Sequence, residues 1–448
     1  MGLLVLVFVM PMGASAQNFS SSINTYSPYS MYGLGELATP GNAAMRAMGG
    51  VGVGMMSYTM VNMLNPAAYC NVARKTFIFN FGVDAGHYRN SQMKYATNSS
   101  PIKTAYNSVN FHDIAFQMPL AKNVGFGFSL TPYSNVGYKM YRDEMAEDIL
   151  GNIGRVRYMW DGEGDITEVK AGVAWRPFKR FSIGAAMLYY WGNISRNYTS
   201  QVPNIITGSG SYSSTTGLDT FDVSKIKMQA GLQWHIIMNS KRIFTFGATY
   251  DLGGSLTPDV TERVYVANVL QTEVRNKNVK SALSLPQQFA AGLFYQTNSL
   301  RVGVDYVYQD WANSNADYTE NLGKGVDVTY ADTHTIKVGV EYTPRPSDVR
   351  NYLNRIAYRL GGRVGDYYQN YGGSAVHQYA ITAGLGLPLQ LFGGSSVDVG
   401  FEYGMRRPDK DAIMVDGAKV GLVNQNYFKL SIGLSLFSDR WFMRYKFD

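Results

Sequence analysis

Near the C-terminus, Phe428, Leu430, Ile432, Leu434 and Leu436 alternate with Lys429, Ser431, Gly433 and Ser435, a period of two that specifies a strand with one apolar face. The pattern recurs. Val397, Val399, Phe401, Tyr403 and Met405 alternate with Asp398, Gly400, Glu402, Gly404 and Arg406, and Ile336, Val338, Val340 and Tyr342 with Lys337, Gly339 and Glu341. Leu300, Val302, Val304, Tyr306 and Tyr308 alternate with Arg301, Gly303, Asp305 and Gln309 in the same way. The polar faces carry both signs of charge plus glycine, and the apolar faces end in aromatic residues such as Trp175, Tyr189, Trp191, Trp234, Tyr250, Tyr306, Tyr342 and Tyr403. Aromatic ends match the girdles of an outer-membrane barrel, whose apolar side chains face lipid and whose polar ones face the lumen. Such a sheet must close, because an open edge in hydrocarbon leaves unpaired backbone groups at several kcal/mol each.

Composition agrees. Among 448 residues, 46% are hydrophobic and 16% charged, too apolar for a disordered chain, and a single Cys builds neither a disulfide framework nor a thiolate metal site. After residue 16 no apolar run approaches the roughly 20 residues of a membrane-spanning helix. Short connections are expected near Ala121–Asn123, Pro177–Arg180, Met238–Arg242, Thr297–Ser299, Pro344–Val349 and Pro388–Gly394. Longer polar ones are expected near 89–107, 132–163, 194–222, 254–283, 310–333, 365–375 and 408–425. Six short connections alternating with seven long ones give about fourteen antiparallel strands, with even counts of twelve to sixteen also open. Short periplasmic turns and long external loops place both chain ends in the periplasm of a Gram-negative envelope. Residues 1–16, with the apolar core Leu3–Met10 and Ala14-Ser15-Ala16, have the form of a signal peptide. Its basic n-region is missing, so an upstream start or a buried strand are the alternatives.

The first strand is expected near Lys75, with the barrel occupying 74–448. Residues 17–73 before it lack alternation but hold many Met, Leu and Val, which do not suit a solvated leader. A plug folded in the lumen shelters them. This segment contains Arg46-Ala47-Met48-Gly49-Gly50 and, just before the first strand, Asn65-Pro66-Ala67. Those elements, in that position before about fourteen strands, resemble the FadL-type outer-membrane transporters, in particular those of Bacteroidota. The ending Arg440-Trp441-Phe442-Met443-Arg444-Tyr445-Lys446-Phe447 is similar to the aromatic and basic termini of barrels from that phylum. The resemblance implies a hatch in the lumen, passive uptake of hydrophobic small molecules such as long-chain fatty acids, and lateral exit through a kinked strand. It carries over only Asn65, Pro66 and Ala67 as gating candidates. Proline fixes φ and lacks an N–H, so the same dipeptide also suits a plain connector. The resemblance further implies an alternative, a non-transport structural subunit of a larger outer-membrane assembly for secretion or barrel insertion.

The alternation puts Arg301, Asp305, Lys337, Glu341, Arg355, Arg359, Arg363, Asp398, Glu402, Arg406 and Lys429 on the inner wall. Neighbouring strands then set Arg301/Asp305 beside Lys337/Glu341, and Asp398/Glu402 beside Lys429. Pairing of buried charges is the conservative expectation. Three arginines on one strand, Arg355, Arg359 and Arg363, leave an aqueous anion path as the other. The histidines at 87, 112, 235, 334 and 377 fall on different segments, so no catalytic constellation, metal site or cofactor is expected, and Cys70 reads as a small packed residue. The +7 charge is interspersed, which does not suit nucleic acid. Expected partners are outer-membrane lipid, a hydrophobic ligand, the insertion machinery during assembly, and other envelope proteins.

Overall fold

Period-two alternation becomes pairing on both sides of every wall strand. The computed structural model describes residues 27–73, 76–95, 100–143, 156–201, 213–314, 327–389, 394–415 and 418–438. The signal segment 1–16, residues 74 and 75 and the ending 440–447 lie outside them. The wall strands are β1 (Phe77–Lys94), β2 (Ser100–Ala121), β3 (Val124–Asp143), β4 (Arg157–Phe178), β5 (Phe181–Gln201), β6 (Thr215–Met238) and β7 (Arg242–Asp251). They continue with β8 (Gln287–Thr297), β9 (Leu300–Asp310), β10 (Thr333–Tyr342), β11 (Ala357–Asp366), β12 (Val376–Pro388), β13 (Ser396–Pro408) and β14 (Val423–Ser438). Each pairs antiparallel with the next. β14 pairs with β1 from Phe77↔Ser438 to Gln92↔Val423, closing a fourteen-stranded barrel.

The outward face is apolar and open to its surroundings: Leu360 is 62% exposed and Ile381 67%, with Trp175, Phe289, Val304, Ile336 and Phe401 alike. An apolar band continuing around the barrel far exceeds what a soluble monomer leaves uncovered and is the lipid-facing surface of an outer-membrane barrel.

Four short connections fall where the sequence places them, the fifth extends over 343–356, and the one expected at Pro388–Gly394 includes residues 390–393, outside the described residues; several long ones are strand. β1 to β6 run 18 to 24 residues, whereas about 9–11 cross a bilayer. Their upper halves stand in water, where both faces can be polar, so the hydrophobic period vanishes while the ladder persists, as in Asp161↔Asn197 and Asn197↔Leu218. Within 254–283 a hairpin, Asp259–Val266 and Val269–Asn276, extends this wall by pairing with β6 from Asp259↔Asp222 to Val266↔Thr215. Its two-residue turn takes positive φ at Ala267 and Asn268 (48° and 63°), the type I′ geometry that suits strand twist.

One seam is broken. β2 and β3 pair from Ala121↔Val124 only to Ile114↔Leu130, although both strands continue well beyond. Above that point the N-terminal segment stands against β3: Leu37↔Ser134 and Glu36↔Asn135 pair as strand, Ala38 N donates to Tyr133 O (2.9 Å), and Ser27 N to Gly137 O (2.7 Å). From Ser27, at the long-loop end, the chain descends to Asn71 near the short turns, where Asn71 Nδ2 donates to Gln233 Oε1 (3.2 Å).

Of the buried clusters among the described residues, two are the largest. Tyr29, Tyr32, Leu34, Trp311, Tyr367, Tyr368 and Tyr371 pack at the long-loop end. Met45, Met48, Val51, Met55 and Met60 pack lower down with Phe294 of β8.

Candidate functional site

The lower cluster sits inside a ring of glycines. Every wall strand except β2 turns a glycine inward near its short-turn end, and seven cross-strand pairs match glycine with glycine: Gly82↔Gly433, Gly400↔Gly384, Gly361↔Gly339, Gly339↔Gly303, Gly292↔Gly247, Gly231↔Gly184 and Gly172↔Gly127. The N-terminal segment lies directly on this belt. A β-carbon on Gly339 would stand 2.2 Å from Met48 O, on Gly303 2.4 Å from Val51 Cγ1, on Gly247 2.2 Å from Val53 O, on Gly184 2.5 Å from the Pro66 carbonyl carbon, and on Gly127 2.5 Å from the Tyr69 ring. Ala43 and Ala47, on helix α1 (Ala43–Ala47), meet Gly433 and Gly384 similarly. Main chain of the segment therefore touches main chain of the wall at Gly339, Gly361, Gly247 and Gly184, and its side chains fill the space at others, a close approach that only glycine permits.

Polar side chains fasten what the glycines admit. Asp305 Oδ2 of β9 accepts from Gly52 N (2.7 Å) and Val53 N (2.9 Å). Thr382 Oγ1 of β12 accepts from Gly49 N (2.9 Å) and donates to Ala47 O (3.0 Å). Lys170 Nζ of β4 donates to Met63 O (2.8 Å), and Asn80 Oδ1 of β1 accepts from Val61 N (2.9 Å). Arg46 pairs with Asp84 of β1. α1 is five residues long because Asn42 caps it, accepting from Met45 N (3.0 Å), and Gly49 and Gly50 end it at positive φ (73° and 83°).

Asn65 works within this lattice. Its Oδ1 accepts from Ala67 N (2.9 Å) while Nδ2 donates to Val53 O (2.9 Å) and Leu232 O (3.0 Å), tying its own turn, a second part of the segment and β6 together. Pro66 heads the 3-10 turn Pro66–Asn71, and Ala67 is fully buried. Asn65→Ala removes the acceptor of Ala67 N and a donor to Leu232 O, while Val53 O keeps Gln233 Nε2 (3.2 Å), so a loss of about 1–3 kcal/mol is expected, read as a lower urea midpoint for the folded barrel's fast gel migration. Pro66→Ala should cost under about 1 kcal/mol.

The inner-wall charges set Arg301/Asp305 beside Glu341/Lys337, as the alternation implied, and add links across a strand that it did not. Arg301 bonds Glu341 (2.9 Å), Glu341 bonds Arg359 (2.7 Å), and Arg359 reaches Asp398 (2.5 Å). Arg363 pairs with Glu402. Both arginines of β11 thus cross β12 to reach β13. They can because β12 presents small residues inward; a β-carbon on Gly386 would be 2.7 Å from an Arg359 guanidinium nitrogen. Lys429 stands opposite Glu402 in register, as expected, and sets its ammonium over the rings of Tyr427 (5.0 Å) and Tyr88 (5.7 Å). Lys337 lies buried opposite Asp305 in register. Arg406 bonds Glu36 of the N-terminal segment (2.8 Å).

Arg355 is corrected. It ends the turn Tyr352–Arg355 before β11 begins at Ala357 and lies over the Tyr352 ring (5.8 Å), so the three arginines do not share a strand. The sequence pattern missed Asp84, His112 and Asp113 as inward groups. A register shift opposite Gly82/Val83 turns His112 and Asp113 both into the interior, and a bulge of this kind has no signature in hydrophobic period. His235 is buried and bonds Thr245 Oγ1 (2.9 Å).

Two cavities flank residues 37–39 above the belt. One of about 150 Å³ is bordered by Gln309, Thr335, Lys337, Arg363, Asp366 and Arg406 among others, the other of about 40 Å³ by Glu36, Arg46, Asp84, Ser108, Asn135 and Lys429 among others. Both linings are rich in charge.

A family model described as BamG matches residues 2–448. No curated protein matches. Among solved structures, a Pseudomonas aeruginosa FadL homologue is 12% identical, with 90% of this chain and 99% of that one covered at a TM-score of 0.61. The CymD monoaromatic hydrocarbon channel is 14% identical (90% and 98% covered, TM-score 0.55), and the Ralstonia pickettii toluene transporter TbuX also 14% (89% and 98%, TM-score 0.52). At these identities the likeness is one of fold, that of a FadL-like outer-membrane barrel.

Proposed function

The chain belongs to the BamG family, and from that membership together with its filled lumen we propose that it is a non-transporting barrel, a structural subunit of a larger outer-membrane assembly such as secretion or barrel-insertion machinery. The glycine belt carries this reading. A hatch that moves must break its contacts and remake them, but here segment and wall meet along matched backbones, fastened by Asp305, Lys170 and Arg46 at charge-assisted bonds of about 1.5–3 kcal/mol each. In this reading residues 17–73 are a permanent plug and Asn65-Pro66-Ala67 is a fastening. The two cavities, of about 150 and 40 Å³ with charged side chains in both linings, fall short of the roughly 300–1,000 Å³ that ligand pockets provide. The outer membrane's lipid and other envelope proteins are then its partners, and the insertion machinery engages β14 and the ending after it during assembly.

Passive uptake of hydrophobic small molecules is the second reading, favoured by the FadL-like fold and by the break between β2 and β3, a position for a lateral exit. One experiment separates the two. In cells depleted of the chain, uptake of radiolabelled oleate should be unchanged, and in mild detergent the tagged protein should migrate with other envelope proteins well above its own mass. Uptake that collapses on depletion and returns with the wild-type chain, together with isolation as a lone monomer, would reverse the choice.

A further inference from the structure

The connection 343–356 differs from the other described short turns, which span two or three residues at 122–123, 179–180, 239–241 and 298–299. It is folded on itself. Asp348 accepts from Asn354 Nδ2 (2.6 Å), Arg350 N (3.0 Å) and Asn351 N (3.2 Å). Arg345 N donates to Asn354 O (2.8 Å), and the Asn351 side chain accepts from Leu353 N (3.0 Å). The Asn354 bond first, then the two backbone donors, hold the Asp348 carboxyl below the usual range. The loop's one acid is thus engaged internally.

What faces outward is apolar and cationic. Val349 is 90% exposed and Leu353 61%, with Tyr352 beside them; of the loop's arginines, Arg345 and Arg350 are exposed and Arg355 lies over the Tyr352 ring. Among the described residues none of these arginines forms an ion pair within 4 Å. Position decides what such a surface meets. The Tyr358 hydroxyl, on the outward face of β11, donates to Leu353 O (3.2 Å), and the Tyr352 hydroxyl donates to Pro388 O at the foot of β12 (3.2 Å). The loop is therefore folded against the outside of the wall, level with the exposed Tyr342 and Tyr358, where headgroups surround a barrel.

We infer that residues 343–356 form a binding site for anionic phospholipid headgroups in the leaflet at the short-turn end. Val349 and Leu353 enter the acyl boundary, and the three guanidiniums meet phosphate while their stems lie along the apolar surface. The inference needs only that the barrel spans the membrane, and stands whether or not it is a structural subunit.

Native mass spectrometry of the full chain, released from mixed micelles of phosphatidylglycerol and phosphatidylcholine, tests it. The wild type should retain phosphatidylglycerol preferentially, and R345Q/R350Q/R355Q should lose that preference by at least about tenfold, at about fivefold per cation near an anionic surface. Val349→Asp with Leu353→Asp should weaken retention of both lipids. Fast gel migration of the unheated barrel confirms folding in each case. Equal phosphatidylglycerol retention by the wild type and the arginine variant overturns the proposal. So does displacement of the lipid by inorganic phosphate at equal concentration, which reassigns the site to free anions. Loss of a co-isolated envelope protein with lipid retention intact overturns it in favour of a protein-docking surface.

Discussion

A barrel carrying leucine at both Gly339 and Gly361 is expected to conduct ions where the parent is silent. Each β-carbon would fall within 2.2–2.3 Å of Met48 main-chain atoms, and neither strand can retreat, because each is hydrogen-bonded on both sides. Overpacking an ordinary core costs about 1–3 kcal/mol per site. Here the obstacle is backbone, so the pair should exceed that range, enough to lift residues 43–53 off the wall. Planar-bilayer recording of the purified protein is the measurement. Gly362→Leu is the control: its side chain would point outward, with Ala380 O the only atom within 4 Å, at 3.2 Å, and it should stay silent. A folded Gly339→Leu/Gly361→Leu barrel with no conductance would mean that the plug tolerates displacement without opening a path.

The largest loss of stability is expected from Arg359→Ala. Its guanidinium lies between Glu341 and Asp398, all three nearly inaccessible. Removing one partner of a buried ion pair costs about 3–5 kcal/mol because the remaining charge is stranded. Glu341 keeps Arg301, so the stranded group is Asp398. A strong fall in the urea midpoint should follow, and Arg359→Met combined with Asp398→Asn should recover most of it, since neutralising both ends removes the penalty. Arg355→Ala, at the exposed turn, should stay within about 0.5 kcal/mol in detergent. Equal effects of Arg359→Ala and Arg355→Ala would show that the bridge contributes nothing.

The contrast between Arg355 and Arg359 shows what was legible in advance. Alternation is local, so the inward placement of Arg359, Arg363, Asp398 and Glu402 and the number of strands could be read from the order of residues. Where a strand begins is set by the turn before it, and the bonds of Asp348 that place Arg355 in such a turn are not periodic. Pairing between neighbouring strands, as of Arg301 with Glu341, could be read too, but pairing across a strand could not: whether Arg359 can reach Asp398 depends on the small residues of the strand between them. Tyrosine misled similarly. Tyr306, Tyr342 and Tyr403 are exposed on the outward face, but Tyr29, Tyr32, Tyr367, Tyr368 and Tyr371 fill the long-loop end of the interior. A tyrosine beyond the span of the bilayer carries no periodic mark of which side it serves. Belt glycines spread along the chain from Gly82 to Gly433 were visible as period-two glycine, but their alignment into one ring is a property of register.

The Gly82↔Gly433 pair joins the first wall strand to the last, and Ala43 lies against Gly433. The segment runs from the long-loop end to the short-turn end, so the wall is wrapped around it along the bore. The N-terminal residues are therefore a core rod about which the bore is fitted. Sideways release through the closing seam means reopening a ladder of more than a dozen residue pairs, a cost added to every single contact that fastens the rod.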